Sequence, residues 1–87
     1  MSQAKIIIYT KNNCPYCVKA KHLLTMKNVA FEEIDTTGND ELRLKLVEMS
    51  GGRKTVPQIF INDVCYGGFD DIYKLDQEGK LDVLWDM

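Results

Sequence analysis

Lys5-Ile6-Ile7-Ile8-Tyr9-Thr10-Lys11-Asn12-Asn13-Cys14-Pro15-Tyr16-Cys17 is the stretch whose reading decides the fold. Its first half, Lys5 to Tyr9, is β-branched and apolar on both faces, the pattern of a strand buried inside a sheet rather than one with a wet face. Lys11-Asn12-Asn13 breaks the run, and Pro15 suits the first position of a helix. From there Cys17, Ala20, Leu23, Leu24 and Lys27 recur at helical spacing. A central strand therefore leads through a short loop into a helix that begins at a cysteine pair.

Working outward, Asn28 can end that helix in a left-handed cap, and Val29 to Asp35 reads as a second strand. Thr36-Thr37-Gly38-Asn39 is a turn. Asn39 or Asp40 can cap a second helix, with Leu42, Leu46 and Met49 on its inner side and Arg43, Lys45 and Glu48 largely on the other. Gly51-Gly52 ends it. Val56 to Ile61 is strand-like, Asn62-Asp63 is a two-residue hairpin turn, and Val64-Cys65-Tyr66 returns antiparallel. Gly67-Gly68 breaks that strand, Ile72 and Leu75 indicate a third helix from Asp70 or Asp71, and Leu81, Leu84 and Trp85 indicate a closing helical turn that caps the core. A βαβ unit requires parallel strands with a right-handed crossover, whereas the last two strands lie close enough for a hairpin. The expected architecture is α/β, a mixed four-stranded sheet in the order β-α-β-α-β-β-α, covered on both faces by helices as a three-layer α/β/α sandwich.

The chain has 87 residues, a formal net charge of -2, 45% hydrophobic and 28% charged residues. That length supports one hydrophobic core, so residues 1–87 are expected to form one domain. The acidic balance gives no basic face for nucleic acid. The longest purely apolar run, Ile6-Ile7-Ile8, is far below the roughly 18 residues of a membrane span and the roughly 7–15 of a signal-peptide core, so a cytoplasmic location is expected. Three cysteines, only two of them close, do not make the disulfide framework of a small secreted domain.

Two cysteines three apart at a helix start share one face, with side chains roughly 5–6 Å apart. A disulfide needs Cβ atoms about 3.5–4.5 Å apart, which is reached when the first cysteine sits at the N-cap. The unpaired N–H groups and dipole of a helix start favour an anion, and cysteines so placed commonly titrate at about 3.5–7.5 against about 8.5 unperturbed. Cys14 is therefore expected to be the nucleophile, and Cys17, one turn inside and facing the core, the resolving thiol. A zinc site is disfavoured: His22 lies about 12 Å along the helix axis from Cys14, and there is no second close cysteine pair. His22 reads as a helix-surface residue and Cys65 as a packed small hydrophobe.

Cys14-Pro15-Tyr16-Cys17, Thr55-Val56-Pro57-Gln58-Ile59-Phe60-Ile61 and Gly67-Gly68-Phe69-Asp70-Asp71 together resemble, in order and spacing, the three signature segments of the dithiol glutaredoxins, most closely the small bacterial type. The resemblance implies a thioredoxin-like fold, a cis Val56-Pro57 bond opposite Cys14, and a glutathione pocket. In it the backbone of Val56, with Thr55 and Pro57, would pair with the cysteine of glutathione. The double glycine would let the chain approach the ligand, and the N–H groups of Phe69 and Asp70 at the third helix would receive the γ-glutamyl carboxylate. The Asp70 carboxylate would pair with the ammonium, Lys11 and Arg43 would reach the glycyl carboxylate, and Tyr16 would flank the sulfur. Phe69 departs from the pattern, since many relatives carry a cysteine there.

The resemblance further implies a glutathione-dependent thiol–disulfide oxidoreductase that acts on protein disulfides through Cys14 and Cys17 and on glutathione mixed disulfides through Cys14 alone. Glutathione would be its reducing cosubstrate, with no tightly bound cofactor and no metal. Clients would be disulfide-containing or glutathionylated proteins, ribonucleotide reductase among them, and the chain is expected to act as a monomer. Two other readings stand beside this one: a thioredoxin-like electron carrier fed by a flavoprotein reductase, and a [2Fe–2S] cluster carrier.

Overall fold

The computed structural model describes residues 5–81. Strand β1 (Ile6–Thr10) turns Ile6, Ile8 and Thr10 into the interior while Ile7 and Tyr9 are half-buried on its other face. This near-continuous burial follows from its place in the sheet, whose strand order is β2-β1-β3-β4. β1 pairs parallel with β2 (Glu32–Asp35) and antiparallel with β3 (Gln58–Ile61), which sets Ile8 opposite Glu33 on one side and Ile59 on the other. β4 (Val64–Gly67) joins β3 through Asn62 and Asp63, both at positive φ (51° and 68°), as a two-residue hairpin turn requires.

Helix α1 (Pro15–Met26) buries Cys17, Ala20, Leu23 and Leu24, and Asn28 leaves it at φ 58°. Ala20, Leu23 and Leu24 join Ile6, Ile8, Ile59, Ile61, Leu81 and Ile72 of α3 (Phe69–Gln77) in one apolar cluster. Lys27 and Asp76 tie α1 to α3 in an ion pair. α2 (Asp40–Met49) is capped by Asn39, whose Oδ1 accepts from the Leu42 N–H at 3.0 Å, with Asp40 and Glu41 at the positive end of its dipole. It buries only Leu46, which lies outside the α1/α3 cluster. The outcome is the expected three-layer arrangement of three helices around a mixed four-stranded sheet.

Four expectations shift. The second strand starts at Glu32, not Val29, because the Val29 N–H goes back to the Leu24 carbonyl and Val29 and Phe31 pack against the core as loop residues. The third strand starts at Gln58, because Pro57 has no N–H to donate, which leaves Val56 outside the ladder; the Val56-Pro57 bond is cis. Met49 is exposed rather than inward-facing, one consequence of how little α2 buries. α3 begins at Phe69, one residue before Asp70 and two before Asp71, because the Asp71 carboxylate reaches back to the Gly68 N–H at 3.0 Å. Leu81 is fully buried in the core as expected, while Leu84 and Trp85 lie outside the described residues.

Candidate functional site

Loop Lys11–Asn13 delivers the chain from β1 to α1, with Asn13 at φ 54°, and leaves Cys14 at the N-cap in extended geometry (φ -115°, ψ 98°) with Pro15 next in line. The Cys14 Sγ accepts the Cys17 N–H at 3.2 Å, the role a serine or aspartate usually fills at a helix start. Its thiol faces the Val56 carbonyl oxygen at 3.8 Å. Both cysteines are thiols, but their settings differ: Cys14 is partly exposed and Cys17 is 2% exposed. Burial, followed by the hydrogen bond to the Cys14 side chain, pushes the Cys17 thiol up to about 12. The geometry thus sets an accessible sulfur at a helix start in front of a shielded one.

Beside Cys14 runs a trough made of two adjoining cavities of about 340 and 280 Å³, which share Arg53, Thr55 and Val56. One end is cationic, with Lys11, Arg43 and Lys54 around Leu46 and Val47, while Arg53, common to both cavities, turns its guanidinium to Asp71. The other end carries Asp70 and Asp71 at the start of α3, with Tyr16, Pro57, Gly68 and Phe69 completing the wall. Every expected binding residue (Lys11, Tyr16, Arg43, Thr55, Val56, Pro57, Gly68, Phe69 and Asp70) lines this trough. Phe69 packs between Tyr16 and Tyr73, ring centroids 6.3 and 5.4 Å away.

Arg53, Lys54 and Asp71 are trough residues that the sequence reading missed. The available signal was position: Arg53-Lys54 directly precedes Thr55, and Asp71 directly follows Asp70. Asp71 is bound within the protein, to the Gly68 N–H and to Arg53 Nη1 at 3.1 Å. That pairing also changes the account of the double glycine. Gly67 stands at φ 99°, and a Cβ there would strike the Asp71 carboxylate and approach Arg53 Nη1, while a Cβ on Gly68 would lie 3.2 Å from the Pro57 carbonyl oxygen. Gly67 is thus required by a contact inside the protein, and Gly68 borders the trough. A register shift between Ile59 and Phe60 sets Ile59 against Gly67 but Phe60 against Cys65, a bulge that places the glycines beside Pro57.

Cys65 is half-buried on β4 and donates to Gln58 Oε1 at 3.5 Å, in no contact with the dithiol. It is more polar in its surroundings than the packed hydrophobe expected. His22 is exposed on α1. Among the described residues no three His, Cys, Asp or Glu side chains are grouped so as to hold a metal ion, and no helix is long and apolar enough to cross a membrane.

Residues 6–66 match the family model for glutaredoxin. The chain belongs to the glutaredoxin family. It is 52% identical over 80 residues to glutaredoxin 1 of Rickettsia prowazekii, an alignment that covers 91% of this chain and 84% of that one. The solution structure of glutaredoxin from Brucella melitensis superimposes with a TM-score of 0.85 at 52% identity, covering 97% of this chain and 90% of that one. A crystal structure of a buckwheat glutaredoxin–glutathione complex superimposes with a TM-score of 0.84 at 25% identity, over 93% of this chain and 76% of that one. This glutaredoxin is a glutathione-dependent thiol–disulfide oxidoreductase with the thioredoxin-like fold, and glutathione is its cosubstrate. The electron-carrier and cluster-carrier readings are not favoured.

Proposed function

We propose that Cys14 is the nucleophile and Cys17 the resolving thiol of this glutaredoxin, and that the trough beside Cys14 is its glutathione site. The observation that carries the reading is the meeting of three features at one sulfur: Cys14 Sγ sits at the N-cap of α1, accepts the Cys17 N–H, and faces Val56 in the middle of the trough. The fit to glutathione is chemical. A tripeptide with a thiol between two carboxylates and one ammonium needs a cationic end, an extended backbone edge and an acidic end, in that order. Lys11, Arg43 and Lys54 supply the first, Val56 outside the ladder supplies the second, and Asp70 with the first N–H groups of α3 supplies the third.

In the cycle, the Cys14 thiolate attacks a client disulfide or a glutathionylated cysteine. A bond forms between Cys14 Sγ and the attacked sulfur, and the other sulfur leaves with the electron pair. Cys17 then attacks Cys14 Sγ, which closes the Cys14–Cys17 disulfide and frees the second client thiol. Two glutathione thiols restore the reduced enzyme and leave as glutathione disulfide. A glutathione mixed disulfide on Cys14 can instead be released by a second glutathione, without Cys17. Clients of this cycle are disulfide-bearing or glutathionylated proteins, ribonucleotide reductase included, and the enzyme works as a cytosolic monomer.

The variant Cys17→Ser tests the assignment. It leaves Cys14 and the trough intact, so deglutathionylation persists while protein-disulfide reduction stalls at a Cys14 adduct visible by mass spectrometry. Loss of deglutathionylation as complete as in Cys14→Ser, or no Cys14 adduct, refutes it.

A further inference from the structure

A second cleft, of about 630 Å³, opens beside the dithiol between loop Lys11–Asn13, α1 and β2. It reaches both Cys14 and Cys17, and the other charged groups that line it are Lys11 from the loop, Lys21 from α1, and Glu33 and Asp35 from β2. Lys21 stands four residues after Cys17, so the two side chains share one face of α1. Its ammonium is held in place: Glu33 Oε2 accepts from Lys21 Nζ at 3.0 Å and from the hydroxyl of Thr10, a buried residue of the central strand, at 2.8 Å. Lys21 and Glu33 side chains retain only 34% and 38% of their exposure, which leaves the pair incompletely screened by water.

The cycle asks Cys17 to act as a nucleophile from a site that opposes its ionisation. Burial and Cys14 raise its thiol, and the Lys11 backbone hydrogen bond and the Lys21 charge oppose that rise. Once Cys14 is in a mixed disulfide, its thiol no longer acts on Cys17, and the Lys21 charge remains to favour the thiolate. Glu33 is not a proton acceptor here, because the hydrogen bond from Thr10 and then that from Lys21 hold its carboxyl below the ordinary glutamate range. It stays an anion, and its charge opposes that of Lys21.

We propose that the Lys21–Glu33 ion pair tunes the resolving step: the Lys21 ammonium supports the thiolate that Cys17 develops during its attack, and the Glu33 carboxylate limits that support. The proposal rests on Cys17 being the resolving thiol. In the step a Cys17–Cys14 bond forms, the bond from Cys14 to the client or glutathione sulfur breaks, and the departing sulfur takes the electron pair and, through solvent, the proton that Cys17 loses. No further oxidant or reductant is involved. Lys21 and Glu33 bond to each other and to Thr10 and act through Cys17, so they are positioning residues.

The test mixes reduced full-length protein with glutathione disulfide, quenches with acid at intervals, and follows the Cys14–glutathione adduct by mass spectrometry as it forms and gives way to the Cys14–Cys17 disulfide. Lys21→Met is expected to slow decay of the adduct roughly three- to tenfold, more than it slows formation, and to move the pH dependence of decay upward. Lys21→Arg restores decay to within about twofold of wild type, because the charge is what acts. Glu33→Gln, which removes the opposing charge, speeds decay about two- to threefold and moves its pH dependence downward. Lys45→Met, an exposed lysine on α2, controls for loss of one positive charge elsewhere. Wild-type decay in Lys21→Met, or equal slowing in Lys21→Met and Glu33→Gln as mere support of α1 against β2 would give, overturns the proposal. If wild type forms no Cys14 adduct, or the adduct never yields the Cys14–Cys17 disulfide, the assignment of the two cysteines fails first and the proposal with it.

Discussion

Replacing Gly67 by alanine should destabilise this protein far more than the same change at Gly68, although the two glycines are adjacent. At Gly67 the φ of 99° lies in the region that side chains avoid, a strain of about 1–2 kcal/mol. The added Cβ also meets the Asp71 carboxylate. That carboxylate can swing away only by giving up its bond to the Gly68 N–H, the N-terminal cap of α3, at about 1 kcal/mol. The Arg53–Asp71 ion pair breaks as well, but both side chains are half exposed and the pair adds little. Gly67→Ala should therefore lose about 2–3 kcal/mol and lower the melting temperature by roughly 10–20 °C, read by urea and thermal unfolding followed in far-UV circular dichroism. Asp71→Ala should lose about 1 kcal/mol by itself. The double variant should be no worse than Gly67→Ala, because the clash partner is gone, leaving a coupling of about 1 kcal/mol. Gly68 stands in ordinary extended backbone, where alanine meets only the Pro57 carbonyl at 3.2 Å. Gly68→Ala should cost under about 1 kcal/mol yet raise the KM for glutathione, because it pushes one wall of the trough from the other. A Gly67→Ala variant within about 0.5 kcal/mol of wild type, or additive losses in the double variant, refutes the reasoning.

Iodoacetamide at mildly alkaline pH should label Cys14 of the reduced protein and spare Cys17, which is buried and raised to about 12, and Cys14→Ser should abolish both disulfide reduction and deglutathionylation; labelling of Cys17 first in peptide mass maps would reverse their roles. Asp70→Ala and Arg43→Met should each raise the KM for glutathione by roughly tenfold, with smaller changes in kcat, as loss of a charge-assisted contact requires, and an unchanged glutathione dependence would remove that residue from the site. Glu33 is held below its ordinary range by Thr10 and then Lys21, so its stabilisation is fully present above the unfolded glutamate value of about 4.3 and is lost as pH falls through the lower folded value. The stability gap between wild type and Glu33→Gln should therefore be widest near pH 6, close by about pH 2–3, and narrow with added salt; a gap that is flat across that range would remove the ion pair from the stability of the fold.

Much of the fold and the dithiol was legible because local chemistry specifies it. Apolar Ile6-Ile7-Ile8 fits a strand inside the sheet, Asn62-Asp63 fits a tight hairpin turn, and a cysteine before Pro15 fits a helix start. The ends of β2, β3 and α3 were less legible, since each is set by an individual hydrogen bond or a missing donor rather than by residue periodicity: the Val29 N–H to the Leu24 carbonyl, the absent N–H of Pro57, and the Asp71 carboxylate on the Gly68 N–H. The residues that line the trough were readable as motif positions for the most part, yet no periodicity announces that Lys54, which follows the glycines closing α2, joins Lys11 and Arg43 at one end, or that Arg53 turns to Asp71 at the other. The sequence by itself marked Cys14 and Cys17 as a dithiol at a helix start, because helix capping and cysteine spacing are local. Only the tertiary structure decided which charges surround them, because Glu33 of β2 meets Lys21 of α1 and Asp71 of α3 meets Arg53 of the segment after α2, and such contacts depend on chain closure rather than on neighbouring residues.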